Sequence, residues 1–353
     1  MDQEEEFQKE ITEILPSPDF PWEQFVFMGS NHLVLPALYH KFRICKMLGL
    51  FPLELRQHLA GIFEMNDTRN QQIVQEILYL NTLFRNKNID PVFMKGAASL
   101  LSGVYSHSAE RMLSDIDCLI PPKSMNDAVH LLVDEGYNHE DYRSEDLPFM
   151  HHFPSLSKEE AARIDLHYLP VTPKYIRYME NWEQRVRTIE LEDGAIAKVP
   201  GSEDMIRINF LHSQLQDHGD YFAAVSMKNL YEFQRLRTGT QNSHVQASDF
   251  GRYRGKYKNY VALAASAFPS QQGISNTPGT KRRIFTLRFK LNRTFRLYSM
   301  TSRFFRTALL QMGHYAGFLG KAIYSKKHRN YLSARLRDPK WSAGHFRHLS
   351  RKF

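Results

Sequence analysis

Two carboxylates set two residues apart, Asp115 and Asp117, interrupt the apolar run Leu113-Ser114-Asp115-Ile116-Asp117-Cys118-Leu119-Ile120, which ends at Pro121-Pro122. If the run is a strand, its period of two turns both carboxylates to one face. Like charges held together on a buried face repel each other and carry a desolvation cost unless a cation shares them, and a divalent metal is the simplest such cation. Upstream, the short apolar run Pro91-Val92-Phe93-Met94 leads into Lys95-Gly96. Downstream, Ile164-Asp165-Leu166-His167-Tyr168 supplies a third carboxylate. Three carboxylates on short strands beside a Lys-Gly turn suit metal-assisted phosphoryl or nucleotidyl transfer. Mg²⁺ prefers hard oxygen ligands, typically one or two carboxylates completed by substrate phosphates. Two metals roughly 3.5–4 Å apart can activate an attacking oxygen and stabilise a leaving pyrophosphate. Lys95 could neutralise triphosphate charge, and the Gly96 backbone N–H lets a phosphate approach closely.

Each of these residues also has a plainer reading. An isolated Asp-x-Asp can cap a neighbouring helix or pair with Arg111. Arg111 itself suits bidentate phosphate binding or a structural ion pair with a site carboxylate. Ser114 binds phosphate or shapes the start of the strand. His167 shares a strand face with Asp165, so it either orients that carboxylate, contacts substrate, or is a hydrogen-bonded core histidine. His151 and His152 raise the thought of zinc, but no His-x-x-x-His spacing supports it.

The elements that must position these groups follow from periodicity. Residues 4 to about 88 read as helices, with Pro52 opening a long amphipathic run that carries Ile73, Ile77, Leu78, Leu80 and Leu83 to about Phe84. Strands are expected at 91–94, 115–120, roughly 149–156, 162–169 and 195–199. Helices are expected from Ala97 to about Tyr105, from Lys123 to Glu135 with a stop at Gly136, and at 202–217 and 222–237. Polar or Gly/Ser/Pro/Gln-rich stretches at 238–250 and 268–280 read as linkers. The implied division is a helical region over 1–88, a catalytic core over 89–200, a helical subdomain over 201–250 and a basic extension over 251–353.

Composition narrows the classes. The 353 residues, 42% apolar and 12% aromatic, describe a folded chain long enough for two or three packed units. Two distant cysteines, Cys45 and Cys118, fit a reducing compartment and exclude a disulfide framework. The acidic start, Met1-Asp2-Gln3-Glu4-Glu5-Glu6, is unlike a secretory signal, so the expectation is cytoplasmic. The net charge of +8 conceals a division: residues 251–353 hold 23 Lys and Arg against a single acid, Asp338, whereas 1–250 hold 23 bases against 37 acids. An acidic body and a +22 extension point to an anionic partner for the extension, either nucleic acid or an anionic membrane surface, such as the inner membrane face. A segment at 304–324, apolar on average but broken by Arg306, Gln311, His314 and Lys321, is suited to lying on a bilayer rather than crossing it. The bland alternative is a helical extension covering the acidic body.

The string Phe93-Met94-Lys95-Gly96-Ala97-Ala98, followed by Arg111 through Ile120, resembles the uncharacterised bacterial nucleotidyltransferase family of the DNA polymerase β-like superfamily. His151-His152-Phe153-Pro154, Ile164 to Tyr168 and the Leu211-His212 region are also similar to it, so the resemblance covers about residues 30–240. It implies an α+β fold: a small mixed sheet flanked by helices, with nucleoside triphosphate and Mg²⁺ (or Mn²⁺) at the sheet edge. Carried over by position, Asp115 and Asp117 would hold the metals, and Asp165 would complete the cluster and accept the proton of an attacking hydroxyl. Lys95, Gly96, Arg111, Ser114 and His167 would bind the nucleotide. Where better-known members place a Gly-Ser turn, this chain has Lys95-Gly96-Ala97. The expected activity is Mg²⁺-dependent transfer of a nucleoside monophosphate to a hydroxyl of an unidentified acceptor. Its rivals are a non-catalytic nucleotide-sensing partner protein and a nucleic-acid or membrane-surface binder acting through the basic extension.

Overall fold

The computed structural model describes residues 3–139, 151–191, 194–239, 244–268 and 280–338. Its centre is a mixed seven-stranded sheet, ordered β3-β4-β5-β2-β1-β7-β6. The strands are β1 (Val92–Phe93), β2 (Asp115–Leu119), β3 (Asn138–His139), β4 (Leu156–Ser157), β5 (Arg163–His167), β6 (Arg187–Glu190) and β7 (Ile196–Val199). β2 runs parallel to β5 with Asp117 opposite Asp165, and antiparallel to β1 with Val92 opposite Leu119.

Four helices, α1 (Gln3–Ile14), α2 (Trp22–Asn31), α3 (Leu35–Ile44) and α4 (Leu53–Arg85), precede the sheet. Pro52 stands just before α4, where its missing N–H costs nothing. Ile73, Ile77, Leu80 and Phe84 recur at helical spacing and bury against one face of the sheet, on Phe93, Ile116, Cys118, Ile164 and Leu166. The opposite face carries the alternate residues and is covered by later helices. These are α7 (Ser202–Phe210), which continues as a wider-wound turn through Leu211–Gln216, α8 (Gly219–Phe222), α9 (Met227–Gly239) and α10 (Arg254–Ala267). Met94, Leu119 and Val199 meet Ile206, Phe210, Leu230, Phe233 and Tyr260 there. Because strand side chains alternate, Asp115, Asp117, Asp165 and His167 belong to this second face.

The core strands lie where the apolar runs place them, shortened by a residue or two. The strand expected at roughly 149–156 begins outside the described residues, and its end coincides with β4. Two strands go beyond the sequence reading. β3 is exposed on both residues, and β6 carries only Ile189 as an apolar residue, so neither shows the alternation that marks a strand. The helix expected at 97–105 is α5 (Lys95–Leu101), and the one expected at 123–135 is α6 (Met125–Asp134), followed by Gly136 at positive φ. The helix expected at 222–237 is α9, which begins only at Met227 because Ala223, at the end of α8, turns left-handed. Most of the 268–280 linker lies outside the described residues, as do 240–243 of the other.

Of the 251–353 extension, α10 packs on the body through Tyr257 and Tyr260, and α11 (Thr280–Thr294), α12 (Arg296–Tyr324) and α13 (Lys326–Leu336) follow it, the 304–324 segment being the greater part of α12. Among the described residues no helix is long and apolar enough to cross a membrane.

Candidate active site

Lys95 stands at the turn between β1 and α5 with φ of 50°, left-handed and uncommon for a side-chain-bearing residue. Holding a non-glycine there costs roughly 1–3 kcal/mol, a strain that surrounding structure must sustain. The result is an ammonium delivered to Asp117: Lys95 Nζ donates to Asp117 Oδ1 at 2.5 Å. Gly96 packs tightly where α5 begins. A Cβ there would fall 2.0 Å from Leu113 Cδ2 and 3.3 Å from an Arg111 guanidinium nitrogen, so a larger residue would displace the Leu113 side chain at the cavity wall.

Asp117 is almost wholly buried, which by itself would favour its neutral form. The Lys95 ammonium and a second hydrogen bond, from His167 Nε2 at 2.8 Å, overcome that burial and hold the carboxyl well below the usual carboxylate range. His167 thus serves Asp117 on the neighbouring strand and not Asp165 on its own, and of the readings that spacing leaves open it is the buried, hydrogen-bonded one. Both residues project from the same face of adjacent parallel strands, and the lateral reach is shorter than it looks in sequence. Burial lowers the His167 pKa, so the ring is neutral with its proton on Nε2, leaving Nδ1 buried and unpartnered. His151 packs at 5.5 Å and His152 at 5.3 Å between ring centroids, and burial takes His151 down to about 3.

Asp115, more exposed, takes a hydrogen bond from Ser114 Oγ at 3.2 Å and pairs with Arg163 at 3.0 Å. The same guanidinium lies 3.6 Å from Asp165, whose Oδ1 is buried without a partner. Arg163 therefore stands between two of the three carboxylates. The period-two rule that paired Asp165 with His167 also puts Arg163 on that face, two residues earlier, and could have found it.

A cavity of about 300 Å³ opens on this face. Asp115, Asp117, Lys95, Gly96, Arg111 and Ser114 line it from the sheet side, while Asn209, His212, Lys228 and Glu232 close it from α7, its continuation and α9. Asp165 and His167, on the neighbouring β5, are not part of this lining. Arg111 is buried and pairs with Glu232 at 3.0 Å, so its ion-pair partner comes from α9 and not from the Asp115–Asp117 pair. Lys228, one turn before Glu232, has no hydrogen bond or ion pair among the described residues. Burial, reinforced by the nearby Arg111 charge, pulls its ammonium down to about 8. Sequence reasoning missed Lys228 and Glu232 because they lie more than a hundred residues from the motif; their only signal is two charges at i and i+4 on a helix whose other positions, Leu230 and Phe233, are core.

A family model described as an uncharacterised nucleotidyltransferase matches residues 18–246, more than half of the chain. The chain belongs to that family. No curated protein matches this nucleotidyltransferase. Its fold is similar to solved structures at low identity. One is the lincosamide antibiotic adenylyltransferase LnuA with lincomycin bound, at 16% identity and TM-score 0.33, over 47% of this chain and 97% of that one. A second is the antibiotic-resistance factor ANT(2'')-Ia, at 13% and 0.34, over 56% and 98%. A third is an antigenic nucleotidyltransferase-like protein from Paracoccidioides brasiliensis, at 16% and 0.38, over 56% and 89%.

Among the described residues, no three His, Cys, Asp or Glu stand close enough together to hold a metal ion. The nucleotidyltransferase instead balances its carboxylates with cations, Lys95 on Asp117 and Arg163 between Asp115 and Asp165. The donor set still fits a hard divalent cation: Asp115 and Asp117 both face the cavity, and Mg²⁺ needs only one or two carboxylates when phosphates complete its shell. The unpartnered Asp165 Oδ1 is a further free acceptor on the neighbouring β5.

Proposed function

We propose that this nucleotidyltransferase moves a nucleoside monophosphate from a nucleoside triphosphate to a hydroxyl acceptor, with Mg²⁺ or Mn²⁺ held by Asp115 and Asp117 and its shell completed by the triphosphate, leaving Asp165 free to accept a proton. The observation that carries the reading is the Asp115–Asp117 pair opening on a cavity whose other walls bring Lys95 and Lys228 to it. The metal would supply charge for the triphosphate and activation for the attacking oxygen. Lys228, unpaired and partly dehydrated, neutralises phosphate charge, and Lys95 exchanges Asp117 for phosphate as the nucleotide enters. The hydroxyl oxygen attacks the α-phosphorus, the bond to the bridging oxygen of pyrophosphate breaks, and the hydroxyl proton passes to Asp165. Ser114 and His167 act by holding Asp115 and Asp117, and Arg111 by tying the cavity's two walls together through Glu232. The basic extension, residues 251–353, gives the enzyme an anionic partner outside this cavity.

The test uses NTP labelled at the α- or the γ-phosphate, incubated with the purified protein, Mg²⁺ and a metabolite and protein extract. Transfer requires the α-label to appear on a new product while the γ-label leaves in pyrophosphate. Movement of the γ-label to the product would make the enzyme a kinase, and retention of both on the nucleotide would refute transfer.

A further inference from the structure

A helix on a protein surface normally turns its apolar side inward. α12 does the reverse. Its attachment to the body is polar: Arg306 donates to the Tyr221 carbonyl at 3.1 Å, the Tyr221 hydroxyl donates back to the Arg306 carbonyl at 3.3 Å, and Thr307 is buried beside them. Outward it presents Phe305, Leu309, Met312, Leu319 and Ile323, each between 57 and 69% exposed. Their spacings of four, three, seven and four residues keep them on one side of the helix, a stripe roughly 27 Å long. An exposed apolar surface of that extent marks an interaction site. Charge identifies the occupant. Between residues 251 and 337 there is no acidic residue, and exposed Arg303, Lys321, Lys326 and Lys327 belong to α12 and α13.

We propose that α12 lies in the plane of an anionic membrane surface, its apolar stripe among the acyl chains and the Lys and Arg of the extension among the headgroups. Such a helix combines apolar burial with attraction to acidic lipid, each cation near the surface adding to the affinity. A second copy of the chain would suit the stripe less well, because it would bring two +22 extensions together. Nucleic acid would engage the cations but leave the stripe in water.

The experiment is co-flotation of the full-length protein with vesicles of phosphatidylcholine alone or mixed with phosphatidylglycerol, for the native chain and a Leu309→Glu/Met312→Glu variant. Both positions are exposed, so folding is checked independently by thermal melting. The expected result is binding to the acidic vesicles at least ~10-fold tighter than to neutral ones, weakened by salt, and a further loss of ~10-fold or more in the variant. Equal binding to both vesicle types would overturn the proposal. So would unchanged flotation of the variant, whether accompanied by a shift from dimer to monomer, which assigns the stripe to self-association, or by unchanged RNA binding, which assigns the cations to nucleic acid.

Discussion

At the scale of single residues, the pocket divides its carboxylates by what sits beside them. Asp117 is locked to Lys95 and His167, whereas Asp165 keeps an oxygen without a partner. An Asp165→Asn variant is therefore expected to bind nucleotide normally but to lose roughly 10²- to 10⁴-fold in kcat, the range for a displaced general base; single-turnover kinetics beside a binding titration checks this. Lys228 supplies a pH signature. With its ammonium at about 8, it is charged below that pH and neutral above it, so nucleotide affinity should fall as pH rises through 8. Lys228→Arg should flatten that dependence, since a guanidinium stays charged, and Lys228→Gln should give the weak, high-pH affinity throughout. For stability the sign is the opposite. A lysine whose folded pKa lies below its unfolded value destabilises the fold when charged, and the penalty is relieved between pH 8 and the ordinary lysine range. That Asp115 and Asp117 share a face was legible from strand period, whereas Lys95 as the partner of Asp117 was not, since the charge argument asked for a metal there. Nor was the His167–Asp117 bond, since register across two strands is not written in either one.

At the scale of elements, α4 does more than cover the sheet. Asn66 and Asn70, one turn apart and buried, donate to the carbonyls of Ser108, Ala109 and Arg111, at 2.6–3.1 Å. They fix the loop that feeds Arg111 and Ser114 into β2, and Arg69 reaches the Leu113 carbonyl beside them at 3.3 Å. Asn70→Ala removes donors from buried carbonyls and should lower stability by about 1–3 kcal/mol, read as a drop in denaturant midpoint at unchanged m-value. Weaker nucleotide binding should accompany it, because the cavity wall loosens. The apolar face of α4 was evident from its spacing, but Asn66 and Asn70 read as ordinary polar positions: only the folded loop reveals which carbonyls need them. Likewise β3 and β6, being short edge-side strands with little alternation, owe their pairing to neighbours and not to local pattern.

At the scale of the whole molecule, the sheet separates two jobs. Its first face is apolar and packs α4; its second carries the charged residues and meets α7 and α9, which close the cavity. The charge division between body and extension was plain in the sequence, whereas the outward turn of α12's apolar side required the fold, because a helical pattern cannot say which side meets the body. The central claim is that Asp115 and Asp117 bind nucleotide through a divalent metal. Calorimetric titration of ATP into the native protein and into Asp115→Ala and Asp117→Ala, with Mg²⁺ and with chelator, tests it most directly. The account predicts that native binding depends on Mg²⁺ and that either substitution weakens it by ~10-fold or more, about 1.4 kcal/mol. Equal ATP affinity with and without Mg²⁺, unchanged in both variants, would contradict it.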